Sequence, residues 1–136
     1  MISGLSDYWE AIVMDALVKG SAITPPASVW LGLFTTTILK SYDIGTPTEV
    51  TGGSYARVQL TFASWSAGFS LTSAAATFPA PTAAWGTVVA WAICDASSSG
   101  HIVFFENICG LVIANGDPAL SFKAKQIKAA LNITRD

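Results

Sequence analysis

Leu5, Trp9, Ile12, Val13, Ala16 and Leu17 recur at i, i+4, i+7, i+8, i+11 and i+12, which lays one apolar stripe along a helix. The spacing predicts a helix over 6–19. Ser6 is placed to cap it, because its hydroxyl can accept from an orphan backbone N–H of the first turn. Asp7 and Glu10 put negative charge at the positive end of the helix dipole, and Lys19 followed by Gly20 supplies a stop signal. A terminal stripe of this kind either docks on its own chain or grips a neighbouring subunit.

Pro25-Pro26 forbids continued helix, and the period then changes from 3.6 to two. Ser28 to Thr36 places Val29, Leu31 and Leu33 on one side and Trp30 and Phe34 on the other, a strand covered on both faces. Residues 40–54 form a loop rich in Gly, Pro, Thr and Ser. Arg57 to Ala63 alternates, with Val58, Leu60 and Phe62 opposed to Arg57, Gln59 and Thr61. Short strands are expected at Phe69 to Leu71 and at Ala75 to Phe78, the second ended by Pro79 and Pro81. Val88 to Cys94 is a near-continuous apolar run, the pattern of a buried central strand. Asp95 to Gly100 is a turn, and Ile102 to Ile108 returns as its antiparallel partner. After a turn at Asn115-Gly116-Asp117-Pro118, Leu120 to Ala124 and Ile127 to Asn132 close the chain. This predicts an all-β fold, an antiparallel β-sandwich or jelly-roll-like barrel with one short N-terminal α-helix. It forms one domain over 1–136, with the sandwich over about 28–133.

Composition changes the picture in one respect. Hydrophobic residues make up 51% of the 136 residues and charged residues only 12%, about half the usual charged fraction. Part of the outer surface must then be apolar, which points to cover by partner subunits. The net charge of -2 argues against nucleic acid as a partner. Lys123 and Lys125 fall on one strand face and read as solvated charge. No window offers the ~20 apolar residues of a spanning helix, and the N-terminus lacks the basic start and apolar core of a signal peptide. A soluble chain made in a cytosol is expected, without membrane as a partner. Cys94 and Cys109 both lie in apolar strand segments and read as buried free thiols.

Candidate chemistry is sparse. The one histidine, His101, has no Cys, Asp or Glu at metal-ligand spacing, and a Ser-His-Asp triad would have to use it. Asp95 reads as a turn residue bonding backbone rather than one of a carboxylate pair with Glu106. Gly52-Gly53 has no Gly-Lys-Ser/Thr after it, so it reads as a turn with positive φ rather than a phosphate loop. No catalytic residue, metal or cofactor is expected. The tryptophans divide by pattern. Trp9 and Trp91 fall in apolar patterns, whereas Trp65 and Trp85 fall at loop edges and are candidates for contact. Exposed Trp serves protein hot spots or sugar stacking, and the scarcity of charge favours protein. The contact candidates are Trp65, Phe69, Trp85 and the helix stripe of Trp9, Ile12 and Val13. Tyr55 and Arg57 read as structural, satisfying loop carbonyls.

Glu49-Val50-Thr51-Gly52-Gly53-Ser54-Tyr55-Ala56-Arg57 with Val58 to Phe62, and Ala75-Ala76-Thr77-Phe78-Pro79 leading to Ala84-Trp85-Gly86-Thr87-Val88, resemble a recurrent signature of small tailed-bacteriophage virion proteins labelled tail-fibre-like. Ala92 to Ala96 with its Ser/Gly turn and the Ser6 to Glu10 helix start fit the same group. The chain departs from it at Lys125-Gln126, where such proteins often have a Gly-rich link. The resemblance implies Gly52, Gly53, Tyr55, Arg57, Phe78 and Pro79 as structural motif positions. It also includes capsid cement or decoration proteins. The expectation is therefore a virion structural protein, assembled in the host cytoplasm, that binds the outside of the head and bridges capsid subunits. Its partners would be the major capsid protein and itself, as a dimer or trimer. The alternative is a tail-fibre or baseplate-associated adhesin or carbohydrate-binding module, the one reading under which a glycan is a partner.

Overall fold

A computed structural model describes residues 3–130. The helix forms where the stripe predicts, as α1 (Asp7–Lys19). The Ser6 hydroxyl accepts from the Trp9 amide at 3.4 Å. Gly20 ends the helix at φ 69°, and its N–H donates to the Asp15 carbonyl, a left-handed cap that costs a glycine little. Before α1 runs a strand with no periodic signal, β1 (Ser3–Leu5).

The remaining strands are β2 (Val29–Phe34), β3 (Val58–Leu60), β4 (Ser70–Leu71), β5 (Ala76–Thr77), β6 (Gly86–Cys94), β7 (Ile102–Ile113), β8 (Ser121–Phe122) and β9 (Lys128–Ala129). An antiparallel five-stranded sheet has the order β1-β7-β6-β2-β3, and two ribbons, β4-β9 and β5-β8, complete the strands. This is a β-sandwich with one short N-terminal helix. β7 runs five residues past the expected Ile108 end. Of the closing segment Ile127 to Asn132, Leu131 and Asn132 lie outside the described residues.

β6 is central, as its apolar run predicts, with β7 on one side and β2 on the other. Side chains alternate across the sheet, so it buries two clusters on opposite faces. Leu31, Leu33, Leu60, Phe78, Trp85, Val88 and Ile93 pack on one, beneath the ribbons. Phe34, Ile38, Ala90, Ala92, Cys94, Ile102 and Phe105 pack on the other, with Tyr42 and Ile44 of the 35–44 loop against them. Val88 and Ile93 are five residues apart, which strict alternation would place on opposite faces. The β6–β7 register shifts between Val88 and Ala90, and that irregularity brings both into one cluster. Each fully buried Leu, Ile or Phe contributes about 1.5–3 kcal/mol, so burial on both faces is what holds the sheet.

Candidate functional site

The Gly52 to Arg57 segment builds a polar knot. Arg57 is buried. Its Nε and Nη2 donate to the two carboxylate oxygens of Glu49, each at 2.8 Å. Its Nη1 donates to the carbonyls of Ala96 and Ser99 at 2.8 and 2.9 Å. The Tyr55 hydroxyl donates to Glu49 Oε1 at 2.8 Å and accepts from the Leu33 amide at 2.9 Å. The Tyr55 hydroxyl thus ties the 49–57 loop to β2 and Arg57 ties it to the β6–β7 turn, with the Glu49 carboxylate joining the two. Burial alone would lower the Arg57 pKa, but hydrogen bonding to Glu49 outweighs it and raises the value. Burial pushes the Tyr55 hydroxyl up, out of the range in which it ionises. Glu49 and Arg57 are the only charged residues between Asp43 and Asp95, a signal from which their pairing was legible.

Gly52 and Gly53 both adopt positive φ, 74° and 57°. At Gly53 a Cβ would lie 2.9 Å from Trp85 Nε1 and 3.0 Å from the Ala83 carbonyl, and Trp85 Nε1 donates to the Gly53 carbonyl at 2.9 Å. Trp85 is therefore not the surface contact its loop-edge position suggested. It is 4% exposed and packs edge-on against Tyr55 and Phe78. The local pattern missed this because the backbone that receives its indole comes from a loop 32 positions away. Phe78 is buried beside it, and Pro79 is exposed at the end of β5.

A second polar group fastens the base of α1. The Ser6 hydroxyl donates to the Ile102 carbonyl, and the Ser6 amide donates to Val103. Tyr8 stacks on the His101 ring at 3.7 Å between centroids, and His101 Nδ1 pairs with Asp43 Oδ2. Asp43 also accepts from the amides of Ile44 and Ile102. Partial burial works against its charge, but these hydrogen bonds prevail and hold its carboxyl below the usual value. Lys40 bridges Asp7 and Glu10, and the Glu10 hydrogen bond raises its pKa. Asp95 acts as a turn residue, accepting from the His101 amide at 2.7 Å. Glu106 pairs across from Trp91, four positions along β6 from Cys94's neighbour Asp95, so these two carboxylates do not share a turn.

Two stretches of uncovered apolar surface stand out among the described residues, apart from Leu111 and Val112 at the far end of β7. Residues 62–72 form an arm: Phe62 bridges Thr72, and Ser66 bridges Phe69 around Ala67-Gly68. Both turn residues have positive φ, the geometry of a tight hairpin whose twist matches the strands. The arm presents Trp65, 70% exposed, beside an apolar cleft of about 290 Å³ lined by Val29, Phe62, Ile93, Phe104 and Ala129, with Ser70 its one polar wall residue. Phe69 is half-buried beneath the Lys128 ammonium, 5.0 Å from the ring centre. The second place is the outer side of α1. Trp9 is buried against its own chain and Ile12, Val13 and Ala16 are half-buried, so the predicted stripe docks as far as Ala16. Leu17, expected on that stripe, is instead 74% exposed, with Met14 and Val18 beside it. The charges among them, Asp15 and Lys19, pair with each other at 3.3 Å.

Both cysteines are free. Cys94 is buried, and burial pushes its thiol up to about 12. Cys109 is exposed, a correction to its expected burial, because it lies where the β6–β7 register breaks. Lys123 and Lys125 are exposed, but they flank a turn in which Lys125 has positive φ, rather than sharing a strand face. Among the described residues no three His, Cys, Asp or Glu side chains gather as a metal site, and no helix is long and apolar enough to cross a membrane.

A family model described as podophage GP4 fiber I protein gp80 matches residues 4–130. The molecule is accordingly a structural protein of the bacteriophage virion, of the tail-fibre-like class that the 49–96 motifs resemble. The chain belongs to the family of the podophage GP4 fiber I protein gp80. Among curated proteins none matches it.

Proposed function

We propose that this chain is a non-enzymatic assembly module of the podophage fibre apparatus, working by burial of its uncovered apolar surface against copies of itself and neighbouring virion proteins. The observation that carries this reading is the pair of uncovered apolar patches, the Trp65 cleft and the outer side of α1, on a chain with few charges. Patches of this kind on a particle component mark contact surfaces. The cleft walls suit an aliphatic side chain better than a sugar, which needs several converging polar groups. Support for a non-catalytic role comes from His101 and Asp43, the groups an active site would recruit, which instead brace the base of α1. The family description favours the fibre over the head shell.

Quantitative mass spectrometry of purified virions, normalised to the major capsid protein, tests the placement. The expected result is a copy number typical of tail appendages, far below the capsid protein. A copy number matching the capsid protein would overturn the fibre placement and make the chain a capsid cement.

A further inference from the structure

The side chain that docks α1 is buried without the partner its chemistry calls for. Of the 13 residues of α1, Trp9 alone is fully buried, and its indole Nε1 finds no acceptor among the described residues. A buried donor left unpaired carries its full desolvation cost, so the group that closes the helix onto the body also opposes closure. Trp9 belongs to neither of the two buried clusters of the sheet. Its contact with Tyr8, edge-on at 6.0 Å, lies within the helix itself.

The other ties between α1 and the body gather in its first turn. The Asp7 amide donates to the Lys40 carbonyl at 2.9 Å, Tyr8 stacks on His101, and the Lys40 ammonium pairs with Asp7 and Glu10. The Lys40 side chain is 46% exposed, and ion pairs so open to water hold little. Farther along, the ion pair of Asp15 with Lys19 is internal to the helix. Ser6, just before α1, is held far more firmly. Its amide and hydroxyl both donate to β7 carbonyls, and β1 pairs with β7 over Ser3 to Leu5.

We propose that α1 opens as a unit about Ser6 while the rest of the chain stays folded and β1 stays on β7. Opening returns the Trp9 N–H to water and uncovers Ile12 and Val13, so the helix becomes a contact surface on both sides. That use rests on the reading of the chain as an assembly module. The opening itself belongs to the isolated chain. Elements held by few buried apolar contacts are the ones that open below the free energy of global unfolding.

Residue-resolved hydrogen exchange of the full chain, followed by NMR, tests it. Released from the body, a helix of this length is marginal in water, so opening is read as exchange of its amides. The amides of Val13 to Val18 should share one common protection, at least about tenfold below that of Ala90 to Ile93 in β6. Trp9→Phe keeps a ring and removes the stranded donor. It should leave α1 protection within about threefold of the wild type. Three results would overturn the proposal. In one, α1 exchanges only together with β6. In another, protection is graded, lowest at Val18 and rising toward Val13, as fraying from the far end gives. In the third, Trp9→Phe speeds α1 exchange beyond the stated limit. The virion copy number is independent of these results. A helix that stays closed in a chain present at fibre copy number sinks the inference alone. An opening helix in a chain present at capsid copy number sinks the fibre placement alone.

Discussion

Replacing Glu49 with Ala should be among the most damaging changes at any polar position, because of what it strands. The Arg57 side chain is 3% exposed, against 23% for Glu49. Without Glu49 the guanidinium keeps its two carbonyl partners but loses its only carboxylate, and water reaches it poorly. Removing one member of a buried pair costs about 3–5 kcal/mol. The partial exposure of Glu49 gives water some access to the vacated space, so the lower part of that range applies, about 3–4 kcal/mol. At roughly 4 °C per kcal/mol for a chain of this size, melting should fall by about 12–16 °C. Arg57→Ala should cost less, about 2–3 kcal/mol, because the stranded carboxylate is the better solvated partner and the loss is mainly of hydrogen bonds. Thermal unfolding followed by circular dichroism, with both single variants and the double variant, closes a cycle whose coupling should be about 1–3 kcal/mol. A Glu49→Ala protein melting within about 2 °C of the wild type, or a double variant equal to the sum of the singles, would refute Glu49 as the counterion that makes Arg57 tolerable inside the fold.

Three further outcomes follow from the same geometry. Trp85→Ala should destabilise the free chain by about 3–5 kcal/mol and Trp65→Ala by less than about 0.5 kcal/mol, as urea midpoints will show; equal losses would contradict their opposite burial. Asp43, whose carboxyl is held below its ordinary value, stabilises the fold above that ordinary value. The contribution disappears as pH falls through the folded value. The melting advantage of the wild type over Asp43→Asn should therefore be full at pH 6 and shrink below about pH 4; an advantage unchanged at pH 3 would refute this. A thiol-reactive dye should label Cys109 in the native protein and reach Cys94 only on unfolding, because Cys94 is buried with its thiol pushed up to about 12; mass spectrometry of labelled peptides reads both.

What was legible in the sequence was whatever depends on near neighbours. The α1 limits follow from Ser6 and Gly20, and β6 from an apolar run that only a central strand can bury. The Asp95 to Gly100 hairpin follows from its turn residues. β1 was not legible, because three residues including a glycine carry no period and the strand exists only through its pairing with β7. The extension of β7 past Ile108 escaped for a related reason: the register shift there breaks the alternation by which strands are recognised. The same limit governed the surface. Trp65 and Trp85 have similar sequence surroundings, small residues on both sides. One is exposed and the other is in the core because Gly53, distant in sequence, offers a carbonyl to only one of them. The helix stripe was legible but its cover was not, since the sequence allowed docking on its own chain or on a neighbour, and the body of the protein stops short of Leu17.

The clasp between Ser6 and Ile102 has a consequence for the order of events at the ribosome. Helix α1 is made before the strand that holds its base, since Ile102 follows Ser6 by 96 residues. At ordinary elongation rates that interval is on the order of ten seconds. Throughout it the Ser6 hydroxyl lacks the Ile102 carbonyl to which it donates, so the helix can form early from its own caps but its base is fixed only when β7 has been made.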